Sequence, residues 1–292
     1  MFKGSITALV TPFTNGAVDE AAFQKFVAWQ ISEGIDGVVP CGTTGESPTL
    51  SHDEHKRVVE LCLEVAKGRV PVIAGTGSNS TDEAIDLTKH AEKAGADAAL
   101  VVLPYYNKPT PEGQYQHFKA IHDATNIPIV IYNVPPRTAV DMSVDTMARV
   151  AKLPRIIGVK DATADLARPL KTQLAIGKDF CQLSGEDATA LPFLIQGGHG
   201  CISVTSNAAP KLTHEMHAAW QKRDLDTAMK INERLMPLHD ALFCETSPGP
   251  IKFAMSMLGQ CSSEVRLPLA AIAEASRAKV EAAMKKVGLV GQ

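Results

Sequence analysis

The sequence lacks the features that would place the chain in a membrane or on a polyanion. Its longest uninterrupted apolar runs, such as residues 98–103, have the length of a strand and fall far short of the roughly 20 residues that a spanning helix needs. With 29 basic and 32 acidic residues, the formal charge of -3 gives no excess positive field for nucleic acid or an anionic bilayer. No apolar leader with a cleavage signature opens the chain. We therefore expect a soluble globular protein with neither nucleic acid nor a membrane as partner.

Cysteine is sparse and scattered. The six cysteines form no CxxC pair and no dense framework, a pattern typical of reduced thiols in the cytoplasm. His52 and His55 form a bare HxxH without further ligands close by in the sequence, which gives metal chemistry little support. The glycine-bearing segments 42–47 and 75–77 both lack the spacing of a nucleotide-binding loop. The sequence thus predicts a cytoplasmic protein without a metal site.

Short β-branched runs alternate with segments of helical periodicity through the first three quarters of the sequence. The eight predicted strands cover residues 6–10, 37–40, 70–74, 98–103, 127–132, 156–160, 180–184 and 200–203. Their nearly continuous apolar character implies burial on both faces, which favours a closed parallel sheet over an open one. The predicted fold class is α/β: a (β/α)8 TIM barrel over residues 1–223, which is the catalytic domain, and a C-terminal helical region over residues 224–292.

Lys160 ends an apolar strand instead of lying on an amphipathic helix face. In a (β/α)8 barrel the carboxyl ends of the strands carry the catalytic groups, so its amine is expected to point into the barrel. Poor solvation there disfavours the charged form, and a neutral amine can attack a carbonyl to form a Schiff base. The alternative is a structural ion pair with Asp161 or Glu186, and position alone leaves both readings open.

Two of the four tyrosines, Tyr106 and Tyr132, also fall at predicted strand ends. Schiff-base chemistry needs protons moved beside the amine, and a chain of phenol and threonine hydroxyls can carry them, with Thr43 as the natural partner. Each tyrosine alone is more often a packing residue, but their coincidence with Lys160 favours chemistry. Arg137, in a proline-stiffened loop, has the donors to hold a carboxylate, although an isolated arginine is usually a surface ion-pair residue.

Three motifs, Gly42-Thr43-Thr44-Gly45-Glu46, Tyr132-Asn133-Val134-Pro135 and Ile157-Gly158-Val159-Lys160, resemble those of the class I aldolase family of pyruvate-binding barrels, to which N-acetylneuraminate lyases also belong. The resemblance runs over nearly the whole chain. It implies that Lys160 forms an imine with pyruvate and that no cofactor is required. The implied roles of the other residues are a proton relay of Tyr132, Thr43 and Tyr106, a carboxylate site for pyruvate at Thr43 and Thr44, a pocket lining by Gly185 and Ile202, and a second carboxylate site at Arg137.

The resemblance also implies a substrate pair and an assembly. The substrates would be pyruvate and L-aspartate 4-semialdehyde, condensed in the first committed step of lysine and diaminopimelate biosynthesis. The counterpart of Tyr106 is donated by the neighbouring subunit in this family, which implies a homotetramer built as a dimer of dimers. The alternative is a related Schiff-base aldolase or lyase acting on a 2-oxo sugar acid. Arg137 argues against it, because a longer hydroxylated substrate needs different contacts there.

Many members of this family are inhibited by L-lysine at a subunit interface. The residues that could form such an allosteric site here are Ser47, His52, His55, Asn79, Glu83 and Tyr105. The carboxylate of Glu83 suits an ammonium group, whereas Asn79 and Tyr105 suit a carboxylate. Glu83 has a competing interpretation, since it is also the acidic member of a capping box that begins at Ser80.

Overall fold

The computed structural model describes residues 1–291, and within them no helix is both long and apolar enough to cross a membrane. The ten strands found there are β1 (Gly4–Ala8), β2 (Phe13–Thr14), β3 (Ala17–Val18), β4 (Gly37–Val39), β5 (Ile73–Gly75), β6 (Ala98–Val102), β7 (Ile129–Asn133), β8 (Ile156–Asp161), β9 (Cys181–Ser184) and β10 (Gly200–Ser203). Strands β2 and β3 form a small antiparallel hairpin. The other eight strands correspond one to one to the eight that the sequence predicts.

The helices within the described residues are α1 (Glu20–Ser32), α2 (His52–Ala66), α3 (Thr81–Ala94), α4 (Pro111–Ala124), α5 (Pro135–Thr138), α6 (Val144–Val150), α7 (Arg168–Ile176), α8 (Ala190–Ile195), α9 (Pro210–Gln221), α10 (Leu225–Ala241), α11 (Gly249–Met257) and α12 (Glu274–Val287). Two short 3-10 helices, Ser47–Thr49 and Thr205–Asn207, follow β4 and β10. The helices that follow α9 confirm the predicted C-terminal helices, while the boundary near residue 223 stays a prediction.

The eight strands other than β2 and β3 form one sheet in the order β4-β1-β10-β9-β8-β7-β6-β5. From β5 to β10 each strand neighbours the next one along the chain, β10 neighbours β1, and β1 neighbours β4, so that β4 and β5 stand at the two ends of the order. The pairs β1 with β4, β9 with β10 and every pair from β5 to β9 run parallel. This is the strand order of a (β/α)8 barrel, so the predicted fold class is confirmed. The strands are apolar because helices cover one face and side chains fill the other.

The chain divides into two compact units. The first unit, Met1–Lys3 with Pro71–Ile202, contains strands β5 to β9 and most of β10. Its core joins the inner faces of α4 and α6 to the strands, with Phe118, Ile121 and Met147 all fully buried against Ile129 and Ile131. Removing a fully buried leucine-sized side chain from such a core costs about 2–5 kcal/mol. The ends of β7 and β8 are therefore carried on a closely packed frame.

The second unit, Gly4–Val70 with the segment that begins at Ser203, contains β1, β4, α1, α2 and the C-terminal helices. Buried amides hold it together at the carboxyl end of β1. The side chain of Asn207 accepts from Val10 N at 3.0 Å and donates to Ala8 O at 2.8 Å. Gln30 accepts from Thr7 Oγ1 at 2.7 Å and donates to the carbonyl of Asn207. These bonds satisfy backbone groups where β1 gives way to loop.

Proline explains why two of the strands begin later than predicted. Strands β5 and β7 begin two or three residues later than predicted, just after Pro71 and Pro128, because proline has no N–H to donate to a neighbouring strand. Helix α10, by contrast, is not ended by the proline that it contains. It continues through Pro237 to Ala241, whereas the periodicity predicts an end at Leu235.

The sequences Ser51-His52-Asp53-Glu54 and Ser80-Thr81-Asp82-Glu83 each predict a capping box at the start of a helix; the first is present and the second is only half formed. At the start of α2 the Ser51 side chain accepts from Glu54 N, and the Glu54 carboxylate accepts from Ser51 N at 2.9 Å. At the start of α3 Ser80 accepts from Glu83 N, but the carboxylate of Glu83 accepts from the Ser78 hydroxyl. The prediction of a capping box at Ser80 is therefore wrong in its second half.

Candidate active site

Lys160 lies near the carboxyl end of β8 and is almost completely buried, with 5% of its surface exposed. It is paired in register with Tyr132 on β7 and with Leu183 on β9. The Nζ atom of Lys160 lies 4.1 Å from the centroid of the Tyr132 ring. The strand register therefore places an amine and a phenol side by side, as the sequence predicts for these two residues.

Gly185, directly after β9, lies close to Ala162 and beside the side chain of Lys160. A Cβ atom at this position would lie 3.1 Å from Lys160 Cε and 2.7 Å from Ala162 Cβ. The N–H of Gly185 donates to Asp161 O at 2.7 Å, which holds the glycine backbone close to β8. Ile202 of β10, the other predicted lining residue in this unit, is 1% exposed. The lysine thus has a channel for its methylene stem that any larger residue at 185 would narrow.

The charge of Lys160 acts on two nearby titratable groups, the carboxyl of Glu186 and the thiol of Cys201. Burial raises the pKa of the Glu186 carboxyl, the neighbouring Asp187 raises it further, and the positive charge of Lys160 opposes both effects. Burial also raises the pKa of the Cys201 thiol well above its usual value, and Cys201 Sγ lies 4.0 Å from Asp187 Oδ1. Cys201 therefore stays a neutral thiol at physiological pH.

A buried polar network fixes the ends of β7 and β8 beside this pair. Asp161 Oδ2 forms an ion pair with Arg168, at 3.0 Å from its Nε atom, and Asp161 Oδ1 accepts a hydrogen bond from Thr163 N at 2.9 Å. Arg168 also donates to Asp141 at 3.0 Å, and Asp141 accepts from the Asn133 amide at 2.8 Å. Because Asn133 and Asp161 are register partners, the network ties the two strands together one residue beyond Tyr132 and Lys160.

This network answers one question that the sequence leaves open. The carboxylate of Asp161 is engaged by Arg168 and Thr163, so Asp161 forms its ion pair with a residue other than Lys160. Sequence reasoning missed Asn133, Asp141 and Arg168 as supporting residues. The one available signal was the polar pair at the ends of two neighbouring strands, Asn133 after Tyr132 and Asp161 after Lys160.

The predicted carboxylate-binding loop, residues 42–46, belongs to the second unit. Two turn bonds shape it, from Gly45 N to Gly42 O and from Glu46 N to Thr43 O, both at 3.1 Å. Thr11 Oγ1 donates to Gly45 O at 2.7 Å. A Cβ atom on Gly45 would lie 3.0 Å from the backbone oxygen of Leu9, so a larger residue there would be crowded against β1 and the loop that follows it. Thr44 is buried, at 4% exposure, and Thr43 is half-buried.

Tyr106 and Arg137 lie on the surface of the first unit. Tyr106 is 88% exposed in the loop after β6 and has a positive φ of 71°, unusual for an aromatic residue. Arg137 is exposed on the short helix α5, which two prolines open after β7. The structure thus brings Lys160, Tyr132 and Gly185 together in the first unit and leaves these two side chains at its periphery.

The six residues predicted to bind lysine are split between the two units. Ser47, His52 and His55 belong to the second unit, where the backbone oxygen of His55 accepts from Cys41 Sγ at 3.4 Å. Burial raises the pKa of the Cys41 thiol, which makes this cysteine a poor nucleophile. Asn79, Glu83 and Tyr105 belong to the first unit, where Asn79 O accepts from the Asn107 amide at 2.8 Å.

Comparison with known proteins connects this geometry to one family. Residues 1–287 match the model described as the Dihydrodipicolinate synthetase family. A 4-hydroxy-tetrahydrodipicolinate synthase from Rhodospirillum centenum is 65% identical over 99% of this chain and 100% of its own length.

Solved structures give the same result. The chloride-inhibited dihydrodipicolinate synthase from Acinetobacter baumannii, complexed with pyruvate, superposes with a TM-score of 0.97 at 46% identity, covering 99% of this chain and 100% of that one. A synthase of the same kind from Cyanidioschyzon merolae with lysine bound has a TM-score of 0.96 at 37% identity and covers 99% of each chain.

Proposed function

Because the chain belongs to the dihydrodipicolinate synthetase family, we propose that it condenses pyruvate with L-aspartate 4-semialdehyde to give 4-hydroxy-tetrahydrodipicolinate. It is a lyase of the class I aldolase type, and the reaction is the first committed step of lysine and diaminopimelate biosynthesis. The observation that carries the proposal is the buried amine of Lys160 at 4.1 Å from the Tyr132 ring, in a chain 65% identical to a synthase of this name.

Lys160 supplies the nucleophile. Its neutral amine attacks the keto carbon of pyruvate, and the resulting carbinolamine loses water to give an imine. Loss of a methyl proton converts the imine into an enamine, whose carbon attacks the aldehyde of the second substrate. The amino group of that substrate then displaces Lys160 from the imine carbon, which closes the ring and frees the enzyme. The protonated imine is itself the electron sink, so the chemistry needs no metal or organic cofactor.

Tyr132, Thr43 and Tyr106 form the proposed proton relay. The carbinolamine oxygen must be protonated before it leaves as water, and a positioned phenol can donate that proton. Tyr132 is the member held beside the amine by the strand register. Thr43 and Thr44 bind the pyruvate carboxylate, Gly185 and Ile202 line its pocket, and Arg137 binds the carboxylate of aspartate semialdehyde.

The assembly proposed is a homotetramer, a dimer of dimers. Two observations support association. Tyr106 is 88% exposed in a single chain although the relay assigns it a catalytic role, as expected for a residue donated to a neighbouring subunit. In addition, Leu166, Leu170 and Leu174 follow one another at helical spacing along and just before α7 and are 37%, 43% and 79% exposed, an apolar stripe suited to a second copy.

L-Lysine is the proposed effector, bound by Ser47, His52, His55, Asn79, Glu83 and Tyr105. The support is chemical, since these side chains offer a carboxylate for ammonium groups and amide and phenol donors for a carboxylate. Titration calorimetry with L-lysine tests it, and the absence of binding heat at millimolar lysine would remove the proposal. The cytoplasm is the proposed location, supported by six free thiols, four of them buried.

A coupled assay separates this function from the alternative of a 2-oxo sugar acid lyase. Purified protein is supplied with pyruvate and aspartate semialdehyde, and in parallel with a panel of 2-oxo sugar acids, and product formation is followed for each. We expect condensation with the semialdehyde to exceed turnover of every sugar acid by at least about a hundredfold. Preferential cleavage of a sugar acid would overturn the proposal in favour of the alternative, which the comparisons disfavour.

A further inference from the structure

Glu46, the last residue of the motif that carries Thr43 and Thr44, forms an ion pair with Lys252 in the interior of the second unit. Lys252 Nζ lies 2.6 Å from Glu46 Oε1, and the two side chains are 0% and 1% exposed. The residues are 206 positions apart in the sequence. Desolvation makes such a pair expensive unless both charges are well satisfied, so its presence calls for a specific role.

Both partners are fully engaged. The second carboxylate oxygen of Glu46 accepts from Arg266 N at 2.9 Å. Lys252 Nζ also lies 4.1 Å from the centroid of the Phe13 ring, which offers a favourable face to a cation. Burial lowers the pKa of the Lys252 ammonium, and the adjacent carboxylate of Glu46 opposes that shift. The carboxylate of Glu46 is therefore bound on one side by Lys252 of helix α11 and on the other by the backbone N–H of Arg266, in the segment that precedes α12.

The backbone of Glu46 has a disfavoured conformation, which the contacts of its side chain can stabilise. Its φ is +55°, in the left-handed region that non-glycine residues avoid. In this conformation Glu46 N donates to Thr43 O and Glu46 O accepts from Thr49 N at 3.0 Å, so one residue shapes the loop on both sides. If the side chain were released, the residue would be free to leave this disfavoured conformation and Thr43 and Thr44 would move with it.

We propose that Glu46 and Lys252 are positioning residues that hold Thr43 and Thr44 in the arrangement that binds the carboxylate of pyruvate. The inference rests on the proposed function and extends it to the C-terminal helices, since Lys252 lies on α11. Both side chains are buried in the interior of the second unit and are therefore not placed to contact substrate. Loss of the pair is expected to weaken pyruvate binding and, because Thr43 is also a member of the proposed proton relay, to slow the chemical step as well.

The test compares KM for pyruvate with kcat at saturating aspartate semialdehyde in two variants. Glu46→Gln/Lys252→Met removes both charges and keeps an oxygen for Arg266 N. Glu46→Asp keeps the charge and shortens the side chain, and it guards against a double variant that fails to fold. Lys285→Met, which breaks the exposed pair of Lys285 with Glu281, is the control.

We expect KM for pyruvate to rise about tenfold or more in the double variant and by about threefold in Glu46→Asp, and kcat to fall in both because Thr43 also belongs to the proton relay. A merely structural role would lower kcat through a smaller active fraction and leave KM unchanged. A KM within twofold of the wild-type value in Glu46→Asp, or in a folded double variant, would overturn the inference. Failure of the wild-type protein to condense pyruvate at all would instead refute the proposed function.

Discussion

The amine of Lys160 and the ring of Tyr132 are held 4.1 Å apart by the register of two adjacent parallel strands. Their spacing depends on backbone hydrogen bonds and not on a mobile loop. The network of Asn133, Asp141, Arg168 and Asp161 fixes the next register position of the same strands. A catalytic group held by a strand and by the residues behind it loses little conformational freedom when substrate binds.

Tyr132→Phe removes the phenol oxygen and keeps the ring beside Lys160. We expect kcat to fall by about a hundredfold or more, because carbinolamine formation and collapse lose their proton donor. KM for pyruvate should change much less. Steady-state kinetics measure both values, and Tyr115→Phe, at the tyrosine stacked on Arg149, serves as the matched control. A kcat within threefold of the wild type would remove Tyr132 from the relay.

Gly185→Ala tests the space beside the lysine stem. The added Cβ would lie 2.7 Å from Ala162 Cβ, where something must shift, and 3.1 Å from Lys160 Cε, where it crowds the stem that carries the amine. We expect the rate of imine formation with pyruvate to drop by about tenfold or more. Gly291→Ala, where the new methyl group enters open space, is the control. Unchanged imine formation in Gly185→Ala would mean that the backbone at 185 yields without disturbing Lys160.

His117 makes the first unit sensitive to acid. Burial lowers the pKa of its imidazole to about 4, against an ordinary value of 6.5. The unfolded chain therefore binds the proton more readily than the folded one, and stability is full above about pH 6.5 and declines as the pH falls toward 4. Between pH 7 and pH 5 this group alone should cost about 2 kcal/mol.

The variant His117→Asn keeps a partner for Thr81 Oγ1, which lies 2.9 Å from Nδ1. Urea unfolding of wild type and variant at pH 7 and pH 5 isolates the contribution of the imidazole. We expect the wild type to lose more stability than the variant over that interval. Equal losses would show that His117 takes no part in the acid sensitivity.

Glu54 contributes stability of the opposite kind in the second unit. The Arg266 guanidinium, bonded to its carboxylate, lowers the pKa of Glu54 to about 2 from 4.5. The folded state thus favours the ionised form, and the stabilisation is complete above about pH 4.5 and is lost as the pH falls toward 2. Because the pair is partly exposed to solvent, we expect Glu54→Gln to cost only about 1 kcal/mol at pH 7.

Thermal unfolding of Glu54→Gln and of the wild type at pH 7 and pH 3 tests whether the stabilisation by Glu54 is lost as the pH falls. The difference between the two proteins should shrink to less than about half at pH 3. Glutamine retains an acceptor for Ser51 N, so the capping box is preserved in the variant. A difference that stays constant across this pH range would mean that the ion pair contributes nothing to stability.

Patterns local in the sequence predicted the strands, most helices and the pair Tyr132 and Lys160. Strand periodicity identifies β7 and β8, and parallel pairing of consecutive strands then brings their ends together. The short 3-10 helix after β4 and the passage of α10 through Pro237 were not predicted, because tertiary packing overrides local preference there.

The supporting residues could not be predicted, because their partners are distant in the chain. In the sequence, Lys252 is indistinguishable from the other basic residues of the C-terminal helices, and only the fold brings it to Glu46. Arg168 likewise opens a helix, and nothing in its neighbourhood indicates an ion pair with Asp161. Tyr106 differs again. Its proposed role depends on a second chain, and a single chain leaves it exposed.

Chemical trapping tests the central assignment most directly. The wild-type protein and a Lys160→Arg variant are incubated with pyruvate, reduced with sodium borohydride, digested and examined by mass spectrometry. We predict that the peptide containing Lys160 gains a 1-carboxyethyl group in the wild type, that activity is lost in parallel, and that the variant stays unmodified. An unmodified Lys160, or a pyruvate adduct on a different lysine, would contradict the account.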